Sequence, residues 1–303
     1  MATFADLSGA GCGRMLMKPS AQAIETLVRM ALLEDAPWGD LTSQSLIPAE
    51  ARISAQLVAR EDGVLCGEDI FSAAMSMTGP VTTEFAIHDG NHFVRGDRLA
   101  TVHGKAQAVL QAERVGLNFI QRLCGIATIT AHYVAETAGT EARIVDTRKT
   151  TPGLRLLERY AVRCGGGHNH RFSLSDAVMA KDNHLAVISS HGTRSLTKEL
   201  RSALARLPHT AHVEVEVDRL DQIEAVLAAG VDTIMLDNFT IDDLRVGVRQ
   251  IAGRALVETS GGVTLDRIRE IASTGVNIIS VGALTHSARA LDLGLDIDFD
   301  ESA

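Results

Sequence analysis

The sequence predicts an α/β protein, with a β-rich first part followed by a parallel β/α barrel. Three observations carry this. Short apolar runs recur after residue 140: ARIVDT (142–147), DAVMAKDN (176–183), HVEVEV (212–217), TIMLDN (233–238), ALVETSGG (255–262) and NIISVGAL (277–284). Helical patterns lie between them, and the later runs start about 20–23 residues apart, the length of a compact β/α unit. Nearly every run ends in a polar or glycine-bearing step: Asp146-Thr147, Lys181-Asp182, Glu216, Asp237-Asn238, Ser260-Gly261-Gly262 and Gly282. A barrel gathers such strand ends on one face. An open doubly wound sheet is the alternative. It would scatter them along an edge, and no G-x-G-x-x-G follows the first run.

In chain order, residues 1–19 read as a leader without the apolar stretch of a signal peptide. SAQAIETLVRMALLE (20–34) has helical periodicity with Ser20 as N-cap. APWGDLTSQSLIP reads as a loop. ARISAQLVARE alternates as a strand does, VLCG is a short apolar run, and HDGNHFVRGDRLATVHG places turn signals around strand-like pieces. FSAAMSM adds a helix, and AQAVLQAERVGLNFIQRLCGIATITAHYVAET carries one or two long ones. The barrel helices are LTKELRSALARL, LDQIEAVLAAG, IDDLRVGVRQIAG and LDRIREIASTG.

Composition narrows the function. The 303 residues, 46% hydrophobic, can build a large core and two domains. A pI near 5.6 and 4% aromatic residues argue against a nucleic-acid partner. No run reaches the roughly 18 apolar residues of a membrane span. Cys12, Cys66, Cys124 and Cys164 show no C-x-x-C spacing. They read as free thiols of a reducing cytoplasm.

Against a net charge of −9, residues 146–184 hold seven Lys or Arg and four acids. A basic island in an acidic chain points to a bound anion. Arg148 offers a planar fork for carboxylate or phosphate and Lys149 a mobile charge. Both reach one ligand only if the chain turns, and Thr150-Thr151-Pro152-Gly153 supplies a turn. A surface ion-pair cluster is the alternative. His170-Arg171 follows Gly165-Gly166-Gly167, suiting anion capture; His168 reads as solvated. Lys181 closes the run AVMAK as a ligand contact. Glu216 and Asp237 end consecutive strands and should be neighbours. They either pair with the cations or bind sugar hydroxyls or Mg²⁺, in part through water. Ser260, Gly261, Gly262 and Gly282 follow the last two strands, where backbone N–H groups cradle phosphate.

Together these motifs resemble the quinolinate phosphoribosyltransferases, the decarboxylating nicotinate-nucleotide pyrophosphorylases of de novo NAD synthesis. The resemblance covers residues 20–297 and rests on EDAPWGDLTS, AERVGLNFIQRLCGIAT, DTRKTTPGLRLLERYAV, GGGHNHR, KDNH, VEVEV, LDNF, ETSGG and SVGALTHS. It implies an N-terminal α/β sandwich domain (20–125), with residues 290–303 packing back on it, and an incomplete α/β barrel (126–289). It implies a homodimer in which Arg114 reaches the partner's site. Arg148, Lys149, His170, Arg171 and Lys181 would surround quinolinate and phosphoribosyl pyrophosphate. Glu216 and Asp237 would hold ribose or magnesium, and Ser260, Gly261, Gly262 and Gly282 phosphate. Lys149, Lys181, Glu216 and Asp237 are then the catalytic candidates, with Lys149 a proton donor to carbon. A molybdenum-associated paralogue shares DTRKT but differs at NHR and KDNH, which are intact here. Further alternatives are a non-enzymatic anion-binding barrel and an aldolase using Lys181 as a Schiff-base amine.

Overall fold

The computed structural model describes residues 18–190 and 196–298. Most of the expected leader and Cys12 lie outside them. The elements begin with α1 (Ala21–Asp35), capped by Ser20, whose side chain accepts from the Ala23 amide. The segment read as a loop contains a second helix, α2 (Leu41–Leu46), because Asp40 accepts from the Thr42 and Ser43 amides and so caps a new helical turn. There follow β1 (Arg52–Ala59), β2 (Gly63–Val64), α3 (Glu68–Met77), β3 (Val81–Phe85), β4 (His92–Phe93) and β5 (Arg98–Lys105). The long apolar segment is one helix, α4 (Ala106–Ala135).

The remaining strands are β6 (Arg143–Val145), β7 (Val178–Ala180), β8 (Val213–Val217), β9 (Thr233–Asp237), β10 (Leu256–Ser260), β11 (Ile278–Ser280) and β12 (Leu293–Asp298). Between them run α5 (Arg155–Cys164), α6 (Asp182–Ser190), α7 (Leu196–Leu204), α8 (Ile223–Leu227), α9 (Ile241–Ile251), α10 (Ile268–Ala272) and α11 (Ala283–His286).

The chain forms two compact units, each discontinuous in sequence. The first comprises residues up to 131, 151–166 and 287 onward; the second, 132–150 and 167–286. In the first unit an antiparallel sheet runs β12-β1-β5-β3. Its core joins Leu57, Leu65, Phe71, Met75, Leu99, Ile120 and Leu293. Phe71 meets Phe85 edge-on at 6.0 Å, the geometry the ring quadrupoles favour. Helix α5 also belongs here and accounts for Arg155, Arg159 and Arg163 of the basic island. It buries Leu157, Tyr160 and Cys164 together with Glu158. That carboxylate accepts from the Arg122 guanidinium (2.8 Å), the Thr151 amide (3.0 Å) and the Thr151 hydroxyl (2.8 Å).

In the second unit one parallel sheet runs β6-β11-β10-β9-β8-β7. The first strand lies beside the last, and the others follow in unbroken succession without a reversal of order. This is the order of a barrel, and it disposes of the doubly wound alternative. No ladder joins β6 to β7 among the described residues, so the barrel is open there. His168 pairs with Val145 in a parallel bridge, its amide donating to Ile144 O. This half-buried residue is therefore a rudimentary strand on β6, not a solvated side chain. In β8 every residue is buried. Valines and glutamates of VEVEV alternate, so Glu214 and Glu216 share one face of the strand.

Candidate active site

The C-terminal ends of the barrel strands open onto a cavity of about 600 Å³ in the second unit. Thr147, Arg148, Lys149, His170, Arg171, Lys181, Glu216, Asp237, Asn238, Ser260, Gly261, Gly262 and Ser280 line it. The expected residues of this unit thus converge. Gly282 is not in the lining, but a Cβ there would stand 3.2 Å from Lys149 Cδ. Its bare backbone leaves room for the lysine stem. Arg114 belongs to the first unit, exposed on α4.

The turn after β6 delivers two cations. Thr147 Oγ1 accepts from the Lys149 amide at 3.1 Å, and Arg148 O from the Thr150 amide at 2.9 Å. Thr285 Oγ1 donates to Lys149 O at 2.7 Å, tying α11 to the turn. Among the described residues neither Arg148 nor Lys149 has an ion-pair partner. Asp146 is an exception to the convergence of strand ends. It is fully buried and accepts from Asn169 Nδ2 (2.6 Å) and the His170 amide (2.8 Å), which anchors the histidine segment. Arg171 donates to Ala177 O at 2.9 Å. Burial, then the like charge of Arg148, pull its pKa below the ordinary arginine value. An anion between them would favour the charged guanidinium and offset both effects.

Lys181 Nζ lies 2.6 Å from Glu216 Oε2. These two residues neutralise each other. Asp237 Oδ2 accepts from Asn238 Nδ2 at 2.6 Å. Asn238 and Gly261 hold positive φ, 57° and 92°. A Cβ on Gly261 would come within 2.0 Å of Asn238 Oδ1, so only glycine fits this cradle.

Two acids that the sequence reading passed over sit one strand step deeper. His170 Nε2 lies 3.0 Å from Glu214 Oε2 and 3.4 Å from Glu258 Oε1. Burial pulls the ring's pKa down and the charges of the two glutamates push it up. Burial in turn raises the Glu214 pKa. The signal was present: Glu214 precedes Glu216, and Glu258 precedes Ser260, by the two residues of a strand repeat.

Residues 126–296 match the family model for the quinolinate phosphoribosyl transferase C-terminal domain, and residues 40–124 match the N-terminal one. The chain belongs to the quinolinate phosphoribosyltransferase family. It is 41% identical to the probable nicotinate-nucleotide pyrophosphorylase (carboxylating) of Bacillus subtilis, over 90% of this chain and 93% of that protein. It is likewise 41% identical to the nicotinate-nucleotide pyrophosphorylase (carboxylating) of Mycobacterium leprae, over 93% of this chain and 100% of that protein. Among solved structures, NadC from Streptococcus pyogenes superposes with a TM-score of 0.87 at 38% identity, covering 93% of this chain and 100% of that one.

Proposed function

We propose that this chain converts quinolinate and phosphoribosyl pyrophosphate to nicotinate mononucleotide, pyrophosphate and CO₂, as the family does, using the barrel cavity. The observation that carries the reading is the crowd of cations, Arg148, Lys149, Arg171 and Lys181, gathered with His170, Glu216 and Asp237 in one cavity. A dicarboxylate needs several fixed cations; a phosphosugar needs a phosphate cradle and groups for its hydroxyls. Ser260, Gly261 and Gly262 offer the cradle. Glu216 and Asp237 are oxygen donors suited to Mg²⁺, in part through water. When bound, Mg²⁺ would help neutralise the departing pyrophosphate.

The pyridine nitrogen attacks the anomeric carbon as the bond to pyrophosphate breaks. The sugar carbon becomes positive, and the nearby carboxylates favour that charge while the cations favour the leaving group. The alkylated nitrogen is then a pyridinium. Its positive charge stabilises the electron pair left on the adjacent carbon when that carboxylate leaves as CO₂. A proton must reach that carbon, and we assign Lys149 as donor. Nicotinate, with one carboxylate, leaves cations unpaired and should bind poorly.

We further propose a homodimer that brings Arg114 into the partner's cavity. Arg114 is exposed and, among the described residues, has no hydrogen-bond or ion-pair partner. In the first unit Met30, Leu33, Trp38, Leu41 and Leu46 are exposed apolar residues, Trp38 to 90%. Large apolar side chains exposed to this degree favour a covering protein surface. A cytoplasmic location fits Cys66, Cys124 and Cys164, which are all buried free thiols. No helix of the described residues is long and apolar enough to cross a membrane.

The test is an assay with quinolinate, phosphoribosyl pyrophosphate and Mg²⁺, following nicotinate mononucleotide and CO₂ together. Equal amounts of both are expected. A folded protein that forms neither rules this reading out.

A further inference from the structure

Glu214 and Glu258 are 4% and 2% exposed. Taking a carboxylate out of water costs several kcal/mol, and an apolar residue would serve barrel stability better. Two such acids therefore need another reason to be there. They meet at one group. His170 Nε2 stands 3.0 Å from Glu214 and 3.4 Å from Glu258, and Ser280 Oγ donates to Glu258 from the next strand. On the other side of the ring, Nδ1 accepts the Arg171 amide at 2.7 Å. With Nδ1 used as an acceptor, the ring's proton sits on Nε2, between the carboxylates. Asp146 holds the same segment from behind through the His170 amide.

We propose that Glu214 and Glu258 are positioning residues: they grip the His170 ring and, through its other nitrogen, fix Arg171 for the dicarboxylate substrate. The proposal rests on the reading above that Arg171 binds quinolinate. His170 is then a brace whose two nitrogens are engaged within the protein. Arg171 is held at its amide by the ring and at its guanidinium by Ala177 O. Holding a side chain this way matters for a planar fork, whose bidentate geometry is lost with small displacements. The other charged or titratable groups facing the cluster are Arg171, Asp176 and His212, which share with it a second cavity of about 290 Å³. Glu214 lines this cavity, and its approach to His170 Nε2 is a close contact without full hydrogen-bond geometry. The three ligand atoms lie within 4.8 Å of one another, as a metal site would require. A metal on Nε2 would drive the ring proton to Nδ1, against the Arg171 amide. The geometry therefore favours the brace over a metal site.

The experiment measures separate KM values for quinolinate and phosphoribosyl pyrophosphate in Glu258→Gln, Glu214→Gln and Arg171→Ala full-length proteins. Each glutamine variant should raise the quinolinate KM roughly tenfold and leave the other KM within about twofold. Both KM values unchanged, or rising together, while Arg171→Ala raises that for quinolinate, overturns the proposal. An Arg171→Ala protein with an unchanged quinolinate KM overturns the reading on which it rests. If Glu258→Gln does not fold, Glu214→Gln carries the kinetic test. Histidine-selective ¹⁵N spectra of the wild type give a reading independent of turnover. A His170 ring with Nε2 protonated and Nδ1 bare is expected, and the reverse overturns the brace.

Discussion

Burial and then the like charge of Arg148 lower the pKa of Arg171. Removing it should cost quinolinate binding about 2–5 kcal/mol, because the buried substrate carboxylate loses its partner. Calorimetric titration of Arg171→Ala checks this, and wild-type affinity would remove Arg171 from the site. At this scale polar strand ends were legible, because an acid or lysine closing an apolar run has few other uses. Glu214 and Glu258 were not, since a buried acid inside a strand signals nothing until its partner, 44 or 88 residues away, is known.

Helix α5 was hidden inside the basic island, where charge drew the eye from its period. Its buried Glu158, tied to Arg122 and Thr151, is an anchor in the first unit. Glu158→Ala should destabilise the protein by about 3–5 kcal/mol, since it leaves a guanidinium half-buried without its carboxylate. Urea unfolding would show it, and a loss under about 1 kcal/mol would make the pair a surface one. The turn after β10 belongs to the same scale. Gly261→Ala forces an L-residue to φ 92° against Asn238. It should cost about 1–3 kcal/mol of stability and raise the KM for phosphoribosyl pyrophosphate more than that for quinolinate. Equal KM values in mutant and wild type would remove the cradle from phosphate binding. Helix α2 escaped the sequence reading because the flanking proline and glycine read as loop signals and outweighed a good Asp40 cap.

Barrel order was legible because each strand and helix announces itself locally and successive units stack. The first unit was less so: its antiparallel sheet joins β1 to β12, from opposite ends of the chain. Two predictions belong to the whole molecule. A chelator should abolish product formation and added Mg²⁺ restore it; full turnover in chelator would discard the ion. Replacing Trp38 and Leu41 by serine should shift sedimentation from dimer to monomer with loss of activity. An unchanged dimer would move the interface elsewhere. The pairing of β1 with β12 also bears on synthesis. Arg60, just after β1, and its partner Asp296 in β12 are 236 residues apart. At roughly 5–20 residues per second, the ribosome needs on the order of tens of seconds to supply the second from the first. Through that interval β1 has an open edge, which chaperones or a premature neighbour can occupy. The unit that begins to emerge first is the one that must finish last.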